Sequence, residues 1–201
     1  MNPKEISFNK QLLVEGFDIE VFFKAIIEKM KLDGIQLQNY GGKDELKFFL
    51  PAFISAPGFK TNVLSMGIIR DADSDPGAAF KSVCTILGKA KLSVPKKAEI
   101  ISGSDPRIGV FILPNSKSKG MLETICLDAV KDDPAMECVD DYFKCLKGKR
   151  LVPGNIYKAK TQAFLSSRKK PGLLIGQAAW KGYWNFDSIV FDGVKRFLSS
   201  L

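Results

Sequence analysis

Two periods of hydrophobic residues alternate along the first part of the chain. Gln11-Leu12-Leu13-Val14 is a short apolar run that stops at Glu15-Gly16, the pattern of a buried strand meeting a turn. From Asp18 to Lys31 the period becomes helical, with Ile19, Phe22, Phe23, Ile26, Ile27 and Met30 on one face and Asp18 placed as the N-cap. Ile35 to Asn39 alternates as a strand, Gly41-Gly42 turns the chain, and Lys43 to Ser55 is helical in pattern but interrupted by Pro51. Val63 to Ile69 predicts a second strongly apolar strand, ending in the acidic turn Arg70-Asp71-Ala72-Asp73-Ser74-Asp75-Pro76, with a helix from about Gly77 to Lys89. Ile108 to Leu113 repeats the buried-strand pattern, and the polar loop Pro114 to Gly120 leads into a helix that begins near Met121.

Apolar strands alternating with helices predict an α/β fold: a parallel sheet with helices on both faces. From Asp133 onward only helical patterns remain, at Pro134–Lys147, Asn155–Arg168, Leu173–Tyr183 and Ser188–Leu198. The reading is therefore an α/β domain over residues 1–132 and a helical C-terminal extension over 133–201. The absence of a long linker, repeat or low-complexity stretch predicts that the extension packs on the sheet domain.

Composition narrows the chemistry. With 201 residues, 45% hydrophobic and 26% charged, the chain can bury a sizeable core. No apolar run approaches the roughly 20 residues of a membrane helix, and the start MNPKEISFNK lacks the apolar stretch of a signal peptide, so a cytoplasmic protein with no membrane role is expected. Cys84, Cys126, Cys138 and Cys145 form no C-x-x-C pair and lie in apolar or helical stretches, which predicts free, buried thiols. Histidine is absent. Histidine-based triads and the usual zinc ligand sets are thereby excluded, leaving carboxylates, lysines and hydroxyls for any chemistry.

Charge divides the chain. Residues 1–140 carry 18 Lys+Arg against 19 Asp+Glu, whereas residues 141–201 carry 12 against 3. A basic extension attracts phosphate-rich polymers or acidic partners, although lysine enrichment for solubility accounts for it equally well. Its best clusters are Lys147-Gly148-Lys149-Arg150 and Arg168-Lys169-Lys170, either of which also reads as a solvated helix end. Trp180, Tyr183, Trp184 and Phe186 stand at near-helical spacing, the pattern of a hydrophobic latch onto the sheet domain, with stacking on bases as the alternative.

Candidate chemistry lies among the acids. Doubly wound sheets bind ligands at the carboxyl ends of their strands, and the sequence places Glu15 at one such end and Asp71, Asp73 and Asp75 at another. In an extended chain Asp71 and Asp73 point the same way, so both can offer oxygens to one hard cation such as Mg²⁺. The plain alternative is that Asp73 or Asp75 caps the helix that follows. Glu123, after the Gly120 turn, is either a further ligand or an ordinary first-turn glutamate favoured by the helix dipole. Lys117 and Lys119 in the preceding loop can contact a phosphate or simply face water. Gly41-Gly42-Lys43 is too short for a phosphate loop, and G-x-x-x-x-G-K-[ST] does not occur.

Leu12-Leu13-Val14-Glu15-Gly16 followed by a helix, and Gly67-Ile68-Ile69-Arg70-Asp71-Ala72-Asp73, resemble the two signature motifs of the Toprim domain, which is shared by topoisomerases, bacterial primases, small ribonucleases and OLD-type nucleases. Arg107 to Asn115, Gly120 to Glu123 and Gly182 to Asp187 are similar to stand-alone Toprim-like proteins of bacteria and archaea. The resemblance implies a Toprim-like sheet, with Glu15 acting in phosphoryl transfer and Asp71 and Asp73 holding Mg²⁺, or Mn²⁺ in its place. It implies a nuclease-type activity on DNA or RNA. Ile19 stands where Toprim nucleases often place an aspartate, four residues after the glutamate, with Asp18 one residue earlier, so one-metal and two-metal sites both stay open. No topoisomerase tyrosine is assignable among Tyr40, Tyr142, Tyr157 and Tyr183. The rival expectation is a non-catalytic binding module that partners a separate ATPase, since OLD-type nucleases join the two activities in one chain. The sequence leaves the oligomeric state open.

Overall fold

The computed structural model describes residues 2–201. In chain order they form β1 (Lys10–Glu15), α1 (Phe17–Lys29), β2 (Ile35–Gly41), α2 (Leu46–Ile54), α3 (Phe59–Asn62), β3 (Ser65–Asp71), α4 (Pro76–Lys89), β4 (Arg107–Leu113), α5 (Leu122–Ala129), α6 (Ala135–Gly148), α7 (Ile156–Ser166), α8 (Ile175–Trp180) and α9 (Asp192–Ser200). A 3-10 turn, Ile189–Phe191, runs directly into α9. The four strands are all parallel and lie in the order β2-β1-β3-β4. The chain therefore winds one way from β1 to β2 and the other way from β3 to β4. Its direction reverses between the carboxyl ends of β1 and β3, where a crevice opens in sheets of this type.

The pleat sorts the strands' side chains into two cores. Leu12, Val14, Ile69, Phe111 and Leu113 face α1 and the helices from α5 onward. Leu13, Met66, Ile68, Ile108, Val110 and Ile112 face α2, α3 and α4. Both faces are covered, which is why the strands read as continuously apolar. The C-terminal helices belong to the first of these cores. Gly67 and Gly109 leave the sheet surface bare where α9 crosses it: a Cβ on Gly109 would come within 2.9 Å of Phe197, and one on Gly67 within 3.1 Å of Phe197 and of Leu201. Two glycines thus let an aromatic ring lie directly on the sheet. Trp184 stacks on Phe164 with ring centroids 5.5 Å apart and donates Nε1–H to the Ile175 carbonyl at 2.9 Å, while Phe186 meets Phe22 edge-on. Phe186 thus makes the expected latch onto α1, Trp184 ties the C-terminal helices to one another, and Trp180 remains 44% exposed.

Three local expectations change. Pro51 sits inside α2 instead of breaking it, because Phe49, Leu50 and Phe53 bury one face of that helix and outweigh one missing hydrogen bond. Asp18 is not the N-cap of α1; Gly16 holds that position, and the Asp18 carboxylate is turned toward α8. Of the cysteines, all free, Cys126 is buried and Cys84 partly so, but Cys138 and Cys145 of α6 are exposed. Helical spacing alone does not reveal which face of α6 is packed. Among the described residues no helix is long and apolar enough to cross a membrane.

Candidate functional site

Glu15 ends β1 and Asp71 ends β3, so the reversal of chain direction places both acids on the carboxyl edge of the sheet. Their surroundings differ because the pleat sends them toward opposite faces. Glu15 shares its side with Tyr40. β2 carries an extra residue here: Val14 pairs with Asn39 and Glu15 with Gly41, leaving Tyr40 as a bulge. The buried Tyr40 phenol reaches across the end of β1 and donates to the Ile69 carbonyl on β3 at 2.9 Å. Burial pushes the Glu15 carboxyl above its usual range, the Arg70 charge opposes that, Asp73 adds to it, and Lys43 and the Tyr40 hydroxyl also pull it down. Glu15 Oε2 is buried without a hydrogen-bond partner.

Asp71 faces α5. Its Oδ1 accepts from the Leu122 N–H at 3.0 Å, so the carboxylate at the end of β3 satisfies a donor in the first turn of α5, the helix that follows the neighbouring strand β4. Burial, with Glu15, Glu123 and Asp73 nearby, pushes its carboxyl up to about 8. Glu123 lies in that same turn and is raised by burial, against the pull of Lys158, with Asp18 a smaller repulsive neighbour.

Asp73 does not continue the strand. It takes a left-handed φ of 52°, which aspartate tolerates better than most residues, and exchanges backbone hydrogen bonds of 2.8 Å with Gly120 in both directions. Gly120 must be glycine, because its φ is 137° and a Cβ would lie 2.6 Å from Thr124 Oγ1. This bridge ties the loop carrying Lys117 and Lys119 to the acidic turn, and both lysines are exposed. The left-handed turn also ends the extended geometry in which Asp71 and Asp73 would point alike. Asp73 instead meets Lys43, Nζ to Oδ2 at 3.7 Å. Asp75 is the N-cap of α4, accepting from the Ala78 N–H at 3.0 Å.

The basic cluster lies elsewhere. α7 starts beside Met121, and its 11 residues carry the chain about 16 Å away before Arg168. There Arg168 holds Asp133 through two hydrogen bonds of 2.8 and 3.1 Å and lies over the Phe164 ring at 4.3 Å. Lys169 and Lys170 are exposed beside it. The fold therefore gathers Glu15, Asp71, Asp73 and Glu123 at one edge and keeps Arg168, Lys169 and Lys170 at the other. Tyr40, Lys43, Arg70 and Lys158 carry no role in the sequence pattern, although Arg70 lies within the Gly67–Asp73 motif and Lys43 within the Gly-Gly-Lys turn after a strand.

The donor set is all oxygen, which suits a hard divalent cation, and an orphaned buried carboxylate oxygen beside a carboxyl kept neutral up to about 8 is the imbalance such an ion corrects. In this conformation no three acids or cysteines among the described residues close around one point. The opposite leanings of Glu15 and Asp71 explain the gap. Asp71 and Asp73 are the residues that would hold the ion, and their carboxylates would have to turn from Leu122 and Lys43 toward each other to do so.

A family model described as "Protein of unknown function (DUF3226)" matches residues 9–201. The chain belongs to this family. As a DUF3226 member its family match takes in the sheet and the C-terminal helices together. Among solved structures, the crystal structure of a hypothetical protein from Pyrococcus horikoshii OT3 superposes with a TM-score of 0.64 at 20% identity, covering 95% of this chain and 94% of that one. The C-terminal region of the Xanthomonas campestris pv. campestris OLD protein gives a TM-score of 0.42 at 13% identity over 98% of this chain and 87% of that one. The Pyrococcus likeness shows a shared fold and nothing finer. No curated protein matches the DUF3226 chain.

Proposed function

We propose that this chain is a Toprim-like, Mg²⁺-dependent phosphoryl-transfer protein with a nuclease-type activity on DNA or RNA. The observation that carries the reading is the buried, unpartnered Glu15 Oε2 at the strand end beside Asp71, whose carboxyl is pushed up to about 8. Two acids from distant parts of the sequence occupy the place where a doubly wound sheet binds its ligand, in a state that a cation would relieve. Bound Mg²⁺, or Mn²⁺, supplies positive charge against the charge that develops on a phosphodiester. Asp71 and Asp73 contribute oxygens to it, and the Leu122 N–H fixes the rotamer of Asp71. Glu15 acts as proton carrier: burial brings its acid form closer to neutral pH, where a general acid or base works best. Tyr40, which donates to the Ile69 carbonyl, keeps its hydroxyl beside Glu15, where it favours the ionised carboxylate.

The test is a cleavage assay with Mg²⁺ and with Mn²⁺ on single- and double-stranded DNA and RNA, run beside Asp71→Asn. Metal-dependent cleavage by the wild type, abolished in the variant, is the expected result. Cleavage of none of the substrates would discard the nuclease reading.

One observation favours a second reading, a non-catalytic module that partners a separate ATPase. Ile19 is buried in the core, and the neighbouring Asp18 is committed to α8, so neither supplies a further acid to the edge. In that case the wild type cleaves nothing, while Asp71→Asn alters only stability or partner affinity.

A further inference from the structure

We propose that Lys43 is a substrate-contacting residue of this site, a cation that holds a non-bridging phosphate oxygen of a nucleic acid over the carboxyl edge; the proposal rests on the nucleic-acid reading above. Lys43 belongs to the turn after β2, yet its Nζ lies 3.7 Å from Asp73, which follows β3. β1 runs between those strands, so the ammonium stands across the end of β1, in front of Glu15.

The turn is built to aim it. Gly41 has a φ of 91°, a Cβ there would press on Glu45 at 3.2 Å, and the Glu45 N–H closes the turn on the Gly42 carbonyl at 2.9 Å. The chain thus reverses sharply between β2 and α2, and Lys43 is set at its tip.

The ion pair itself is loose. At 3.7 Å it exceeds hydrogen-bonding distance, and the two side chains are 56% and 50% exposed, which makes the pair worth little and easy to exchange. Arg70, the other cation near Glu15, is engaged with Ser82 at 3.1 Å. A phosphate approaching an edge of carboxylates meets repulsion unless a mobile positive charge faces it. Lys43 can swing from Asp73 to the phosphate, and a cation held by the Asp73 oxygens would keep that carboxylate paired.

The test measures binding of the full chain to labelled single- and double-stranded DNA and RNA oligonucleotides over a range of KCl, with Ca²⁺ in place of Mg²⁺ to hold the substrate intact. Lys43→Met should weaken binding about five- to tenfold near 0.1 M salt and lower the log–log salt slope by about 0.7–0.9, the loss of one phosphate contact. Lys43→Arg should restore both, while Lys89→Met, on the exposed far end of α4, should match the wild type. A merely structural Lys43 would leave the slope unchanged. Wild-type affinity and slope in Lys43→Met would overturn the proposal and leave the site reading intact; no binding by the wild type to any of these nucleic acids would overturn both.

Discussion

The Asp18 carboxylate accepts a 2.7 Å hydrogen bond from the backbone N–H of Gly176, 158 positions further along the chain. Its second oxygen accepts from the Ile175 N–H at 3.1 Å, so a side chain of α1 satisfies the first two donors of α8. Gly176 is the only residue type that fits, since a Cβ would lie 2.6 Å from Val21 Cβ, 2.7 Å from the Asp18 carbonyl oxygen and 2.9 Å from the Phe22 nitrogen. Asp18→Ala should cost about 1–2 kcal/mol, the loss of a cap. Gly176→Ala should cost about 3 kcal/mol, because two of its three clashes are with backbone that cannot step aside. Urea unfolding followed by circular dichroism measures both, and a Gly176→Ala protein of wild-type stability would show that the α1–α8 contact is not tight.

Asp71 gives the metal-free protein a signed pH dependence. Its carboxyl ionises near 3.8 when unfolded and at about 8 when folded. Below the unfolded value both states hold the proton and there is no penalty. Between the two values the folded state binds more protons than the unfolded one, so stability falls as pH rises toward 8. In metal-free buffer the wild-type Tm should drop over this window, and Asp71→Asn should be the more stable protein at pH 8 but not at pH 4. Mg²⁺ added at pH 8 should raise the Tm of the wild type and scarcely that of Asp71→Asn. Parallel pH profiles for the two proteins would contradict this account.

Glu15→Gln keeps the shape of the side chain and one acceptor oxygen while removing the proton-carrying group. If Glu15 carries a proton in the reaction, single-turnover cleavage at saturating Mg²⁺ should slow by about 10²–10⁴-fold with substrate affinity nearly unchanged. Equal rates would remove Glu15 from the chemistry.

Arg168 should behave as a structural residue. It is bidentate to Asp133, whose carboxyl it holds below the usual range, and it lies over Phe164. Arg168→Ala should cost about 1–2 kcal/mol, through the paired charge and the lost ring contact, and should leave the salt slope of nucleic-acid binding as it was. Removing the exposed Lys169 and Lys170 together tests the basic extension directly: a smaller slope would place phosphate along this end of α7, and an unchanged one would leave the cluster a solubility feature.

The sequence alone determined the four strands, the helices other than the short α3, and the placing of Glu15 and Asp71 at strand ends, because burying one face or both imposes a period on neighbouring residues and an acidic turn interrupts it. Strand order, the bulge at Tyr40 and the left-handed turn at Asp73 were decided by the tertiary structure. Asp71 and Asp73 look equivalent in D-x-D; the Gly120 bridge gives one to the start of α5 and the other to Lys43. Asp18 has the pattern of a cap for its own helix and instead caps one packed against it. Arg168 reads as a free cation until Asp133 is brought beside it. Periodicity reports which way a residue faces within its own element. The partner of a charge or an orphan backbone donor depends on which distant element is packed there, and only the folded chain sets that distance.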